Sequence, residues 1–191
     1  MEVNPDHVRA FETPDALAAW LASYHDGATE LWLQIFKTGS GIASVTWAEA
    51  VVEALRWGWI DGLKKSGDER FYFQRFTPRR PGSAWSRKNR DHAEALIRAG
   101  RMEPPGLAEV AAARADGRWD AAYAGSAAMS FPDDFLAMLS ADPAAAATFA
   151  ALNRANRYAI AYRLQTARTP QTRQARMDRI LAMLARGETF H

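Results

Sequence analysis

Apolar positions recur along this chain on two different periods, and the switches between them mark out its elements. Leu17, Trp20, Leu21 and Tyr24 fall on one helical face behind Thr13-Pro14-Asp15, a sequence that supplies an N-cap, a first-turn proline and an acid at the positive end of the helix dipole. Glu30–Lys37 is dense in aromatic and branched side chains and reads as a strand, with Val8–Phe11 a shorter one before it. Thr46-x-x-Glu49 is a capping box that opens a helix placing Trp47, Ala50, Val51, Ala54 and Leu55 on one side, with Gly58 as its left-handed exit. Trp59–Lys65 and Arg70–Phe76 flank Ser66-Gly67-Asp68-Glu69 and predict a β-hairpin. Neither face of its second strand is cleanly polar, so that strand is expected to be covered on both sides or to line a cleft.

Further on the period is helical throughout. Ser86 caps a predicted helix reaching Ala99 and closed by Gly100, with Asn89, Ala93, Leu96 and Ile97 on its inner stripe. Leu107–Ala115 is another, stopped by Asp116-Gly117. The small residues Ala124–Ala128 form the best linker candidate. Beyond them the predicted helices are Pro132–Leu139, Pro143–Leu152, Arg154–Arg168 and Pro170–Arg186, the last with Met177, Ile180, Leu181 and Leu184 on one face. This order predicts an α+β fold: a small β-sheet with packed helices over residues 1–125, carrying the aromatic and basic hairpin, followed by an all-helical C-terminal region over residues 129–191.

Composition narrows the functional classes. A chain of 191 residues with 48% apolar and 24% charged side chains suits one soluble domain, or one with an appendage. There is no cysteine, which excludes disulfides, thiolate nucleophiles and cysteine-based zinc sites. His7, His25, His92 and His191 show no ligand spacing, so neither a metal nor a cofactor is expected. The start lacks a basic and then apolar leader pattern, and the apolar stretch Ala137–Leu152 is broken by Asp142-Pro143. The expectation is a cytoplasmic protein with no membrane span.

Charge is where the chain departs from the ordinary. Lys64–Arg90 carries nine Lys or Arg and two acids, against a net charge of +2 for the whole chain. Cations beside aromatic rings suit an anionic, planar or polyhydroxylated ligand. Lys37, Arg75, Arg79, Arg80, Trp85 and Asn89 are the candidate ligand-binding residues, with prolines around Arg79-Arg80 fixing the direction of both guanidiniums. Asp61, set among Trp59, Ile60 and Gly62, is the candidate acid–base group, against a structural reading in which it pairs with an Arg or shapes a turn. Lys37-Thr38-Gly39-Ser40-Gly41 lacks the spacing of a P-loop. The leading expectation is a protein binding a small anionic ligand. The alternatives are an enzyme on a phosphorylated or carboxylated metabolite, and a single-stranded nucleic-acid-binding module using the basic aromatic strands as a stacking platform.

Several motifs resemble the YdeI/OmpD-associated family, a bacterial group described as bacteriocin-protection proteins. They are Glu30-Leu31-Trp32-Leu33 with Lys37, Trp57-Gly58-Trp59-Ile60-Asp61-Gly62, Arg75-Phe76-Thr77-Pro78-Arg79-Arg80 running into Ser83-x-Trp85-Ser86-x-x-Asn89, Gly100-Arg101-Met102, and Asp116-Gly117-Arg118-Trp119. Ala167-Arg168-Thr169-Pro170-Gln171-Thr172-Arg173 and Met183-Leu184-x-x-Gly187 resemble the family's C-terminal helical signature, with Arg168 and Gln171 in place of its Lys and Glu. The resemblance spans roughly residues 8–187. It implies a role in stress or antimicrobial-peptide resistance, and an association with an outer-membrane porin by the family's name alone.

Overall fold

The computed structural model describes residues 2–191. The fold is α+β. The chain divides into two compact units, Met1–Ser83 with Asn89–Trp119, and Ala84–Lys88 with Asp120–His191. The segment Ala124–Ala128 therefore lies inside the second unit, where Ala124 N–H donates to Gln165 Oε1 at 3.2 Å.

The first unit holds a four-stranded sheet in the order β1-β2-β4-β3, from β1 (Val8–Arg9), β2 (Leu31–Phe36), β3 (Trp59–Ser66) and β4 (Phe71–Pro78). β1 runs parallel to β2, and the other pairings are antiparallel. Helices α1 (Pro14–Tyr24) and α2 (Trp47–Arg56) bury Leu17, Leu21, Ala50, Val51, Ala54 and Leu55. These form a core with Leu31, Leu33 and Ile35 of β2, Trp59 of β3 and Phe76 of β4, which alternate onto one sheet face. Trp59 is fixed there by an edge-on contact with Trp20 at 6.0 Å and by its indole N–H donating to His25 O at 3.2 Å.

Both helices start as their caps dictate. Thr13 Oγ1 accepts from Ala16 N, and Thr46 closes a full capping box with Glu49. Helix α3 (Arg87–Arg98) turns Asn89, Ala93 and Leu96 inward, and α4 (Pro104–Ala115) follows. α4 begins three residues before the predicted Leu107, because Pro104 and Pro105 occupy first-turn positions where no amide donor is needed.

The second unit contains α5 (Asp133–Ser140), α6 (Pro143–Ala151), α7 (Arg154–Gln165) and α8 (Pro170–Ala185). Asp142, Asn153 and Thr169 cap the last three through their side-chain oxygens. The core gathers Phe135, Leu139, Ile160, Leu164, Met177, Ile180 and Leu184. Among the described residues no helix is long and apolar enough to cross a membrane.

Candidate ligand-binding cleft

The hairpin β3–β4 is not regular. Asp61 pairs with Phe76 and Lys64 pairs with Gln74, so Gly62 and Leu63 together oppose Arg75. This is a β-bulge, and it has a consequence for chemistry. Residues three apart on a plain strand point to opposite faces. Phe76 and Gln74, two apart, share a face, so the bulge brings Asp61 and Lys64 onto that face as well. The carbonyls it displaces are satisfied by Gln74, whose Nε2 donates to Gly62 O at 2.9 Å and Leu63 O at 3.4 Å.

Asp61, Gly62 and Lys64 line an open cleft of about 300 Å³ with Tyr72 and Gln74 of β4 and Trp47 at the start of α2. Trp47 is 38% exposed, and its indole N–H donates to Asp61 Oδ2 at 3.2 Å. Lys64 Nζ rests 4.0 Å from the Tyr72 ring centroid, and among the described residues no carboxylate pairs with it. Burial pushes the Tyr72 phenol above its ordinary pKa, so at neutral pH it keeps its proton and can donate. The cleft thus offers a cation, a phenolic donor, two acceptors and an aromatic wall.

The other candidates from the sequence lie elsewhere. Arg75 alternates with Tyr72 and Gln74 along β4 and points to the opposite sheet face. There its Nε donates to Glu30 Oε2 at 2.6 Å, while Glu30 Oε1 lies 3.0 Å from His7 Nδ1. Lys37 follows β2 at its far end, paired through its backbone with Arg70, and its Nζ donates to Asp68 O at 3.1 Å. With Arg75 paired to Trp32, five residues back along β2, the two cations stand about 16 Å apart along the strand at about 3.3 Å per residue. Arg79 is buried, its N–H donating to Gly58 O, and Arg80 is exposed with its N–H on Ser83 Oγ. Asn89 is buried on the inner stripe of α3. Trp85 is 1% exposed and belongs to the second unit, where its carbonyl accepts from Tyr123 N. Of the sequence candidates, Asp61 lines the cleft. Lys64 belongs to the basic run from which the sequence drew its converging cations, whereas Tyr72 and Gln74 of the hairpin and Trp47 of α2 carried no site signal of their own.

The Glu30 cluster carries a pH prediction. Burial raises the Glu30 pKa, but the hydrogen bonds and charges of His7 and Arg75 outweigh it and hold the carboxyl below its ordinary 4.5. A depressed carboxylate contributes stability that is present above its unfolded pKa and lost as pH falls through the folded one. The stability gap between the wild type and Glu30→Gln, measured by urea denaturation, should shrink as pH falls below about 4.5. A gap unchanged at pH 3 would contradict the pairing.

Residues 9–109 match the model of a domain of unknown function, DUF8412. The chain belongs to this family. All of the sheet except Val8, and every residue of the cleft, lie in the DUF8412 match. Residues 128–187, which contain α5 to α8, match the model described as bacteriocin-protection, YdeI or OmpD-associated. The resemblance to that family therefore holds for the helical C-terminal segment, with the DUF8412 match accounting for the sheet-bearing part. No curated protein and no solved structure gave a match. Among the described residues no group of three or more His, Asp or Glu side chains is placed to hold a metal ion.

Proposed function

We propose that this DUF8412 protein binds a small anionic ligand in the β3–β4 cleft, with Lys64 and Tyr72 as donors and Trp47 as the apolar wall. The observation that carries the reading is the state of Lys64. Its ammonium borders a cleft and has no carboxylate partner among the described residues. Arg75, Arg56, Arg118 and Arg173, by contrast, are each held by an acid at 2.5–2.8 Å. A cation already matched by a carboxylate has little left to offer a ligand; an unmatched one beside a phenol does. The bacteriocin-protection role in the second family's description belongs to the same proposal and rests on the match over residues 128–187 alone.

A thermal-shift screen of phosphorylated and carboxylated metabolites tests it. At about a hundredfold excess over Kd, a ligand of the native state adds about 2.7 kcal/mol and raises Tm by several degrees. The shift should vanish in Lys64→Gln and persist in Arg80→Gln. A shift that survives Lys64→Gln would locate the anion elsewhere and end this reading. Asp61, bordering the same cleft, favours a second one, an enzyme acting on such a metabolite, for which turnover lost in Asp61→Asn with binding retained is the signature.

A further inference from the structure

The cleft presents acceptors as well as donors, and their arrangement limits what an anion placed there can look like. Gln74 is 4% exposed, and both recorded hydrogen bonds of its amide nitrogen run to bulge carbonyls. A flipped amide would set its oxygen against Gly62 O and Leu63 O, so the orientation is fixed. Its Oε1 accepts no hydrogen bond from any described residue. Asp61 spends Oδ2 on the Trp47 indole and has Oδ1 uncommitted.

A bare phosphate or carboxylate would satisfy Lys64 and Tyr72 yet leave its own oxygens facing two acceptors, one of them charged. That like-charge and desolvation cost is set against the contacts with Lys64 and Tyr72 and weakens a bare anion. The ligand must therefore bring hydrogen-bond donors of its own. An ammonium would answer Asp61 but shares the space with Lys64. Hydroxyls answer Asp61 and Gln74 with no such conflict. Trp47, more than a third exposed, adds a flat apolar surface suited to the C–H face of a ring. The volume, about 300 Å³, falls at the lower end of the range of about 300–1,000 Å³ usual for ligand pockets and fits one ring rather than a chain of them.

The geometry points to a monosaccharide bearing one anionic group, a sugar phosphate or a sugar acid, as the ligand. The anion lies on Lys64 and Tyr72, the hydroxyls on Asp61 Oδ1 and Gln74 Oε1, and a ring face against Trp47. This rests on the binding reading above and goes further by requiring the hydroxylated ring.

Isothermal titration of the full chain with glucose 6-phosphate, ribose 5-phosphate, glucuronate, neutral glucose, inorganic phosphate and glycine separates the two claims. At least one sugar anion should bind tenfold or more tightly than either phosphate or glucose, and whether it is a phosphate or the uronate identifies the anion's chemistry. Asp61→Asn should lower that sugar-anion affinity about tenfold while phosphate affinity holds or rises, because the like-charge cost is removed, and Lys64→Gln should erase both. Trp47→Ala gives a second test of the ring contact, with the same loss confined to the sugars, and thermal melts confirm that each variant is folded. Phosphate binding as tightly as every sugar anion would overturn this inference and leave the anion site standing. Glycine binding in preference to the sugars would overturn it in favour of a zwitterion site. No binding by any probe would remove both readings.

Discussion

Phe135→Ala is expected to cost about 3–5 kcal/mol, the largest loss anticipated for any single side chain of the helical unit. Phe135 is fully buried on α5. Its ring lies 5.8 Å from both Phe131 and Phe149, and those two are 5.0 Å apart, so three aromatic rings close on one another over Ile160, Leu164, Met177, Ile180 and Leu184. Truncation removes the transfer energy of a benzyl group and leaves a void bordered by helices that can close it only in part. A domain is stabilised by about 5–15 kcal/mol in total, so this loss consumes a large share of it. Leu136, the next residue, is 42% exposed, and Leu136→Ala should change stability by less than about 1 kcal/mol. Urea denaturation with amide exchange across α7 and α8 measures both. Equal losses in the two variants would mean that Phe135 is not at the centre of that core.

The parts of the fold legible in the sequence are those written in local chemistry. Thr13, Thr46, Asp142 and Thr169 cap helices in the structure because a side-chain oxygen reaches an amide two or three residues on, an interaction contained within four residues of sequence. Gly58, Gly100 and Gly187 all adopt positive φ at helix ends, again a local demand. The stripe Met177, Ile180 and Leu184 is buried as its period implies.

What could not be read depends on partners far away in the chain. Arg75 looks like a ligand-binding cation until Glu30, 45 residues earlier, is seen to hold it. Charge density along a sequence counts cations without showing which of them a carboxylate has already matched. The bulge is a matter of register between β3 and β4, and its one local trace is Gly62 after Asp61. An unbulged hairpin would put Asp61 and Lys64 on opposite faces, so the sequence offered Asp61 and the basic run separately while their meeting in one cleft stayed hidden.

Gly106→Ala is expected to cost about 2–3 kcal/mol, at the top of the range for adding one methyl to a filled contact. Alanine normally favours a helix over glycine by about 1 kcal/mol, so the sign here runs against propensity. Gly106 occupies the first turn of α4, and a Cβ there would collide with the carbonyl oxygens of Leu55 and Arg56 at the end of α2. Neither oxygen can withdraw freely: Leu55 O accepts from Gly58 N and Arg56 O from Glu103 N, both at 3.2 Å. Gly58 approaches from the other side, at φ +73°, where its own Cβ would lie 3.1 Å from Pro105 O. The first turn of α4 therefore meets the end of α2 and the turn after it backbone to backbone, through Gly106 on α4 and Gly58 just past α2. Relieving the collision means parting them, and that pulls on the ion pair of Arg56 on α2 with Glu103 at the start of α4, at 2.8 Å. Gly125→Ala is the control, since nothing lies within 4 Å of a Cβ at Gly125 and its φ is −66°. It should be neutral or stabilise by a few tenths of a kcal/mol. Matching urea midpoints for Gly106→Ala and the wild type would show that α2 and α4 are not in backbone contact, and the placement of Trp47 over the cleft would lose its support from that side of α2.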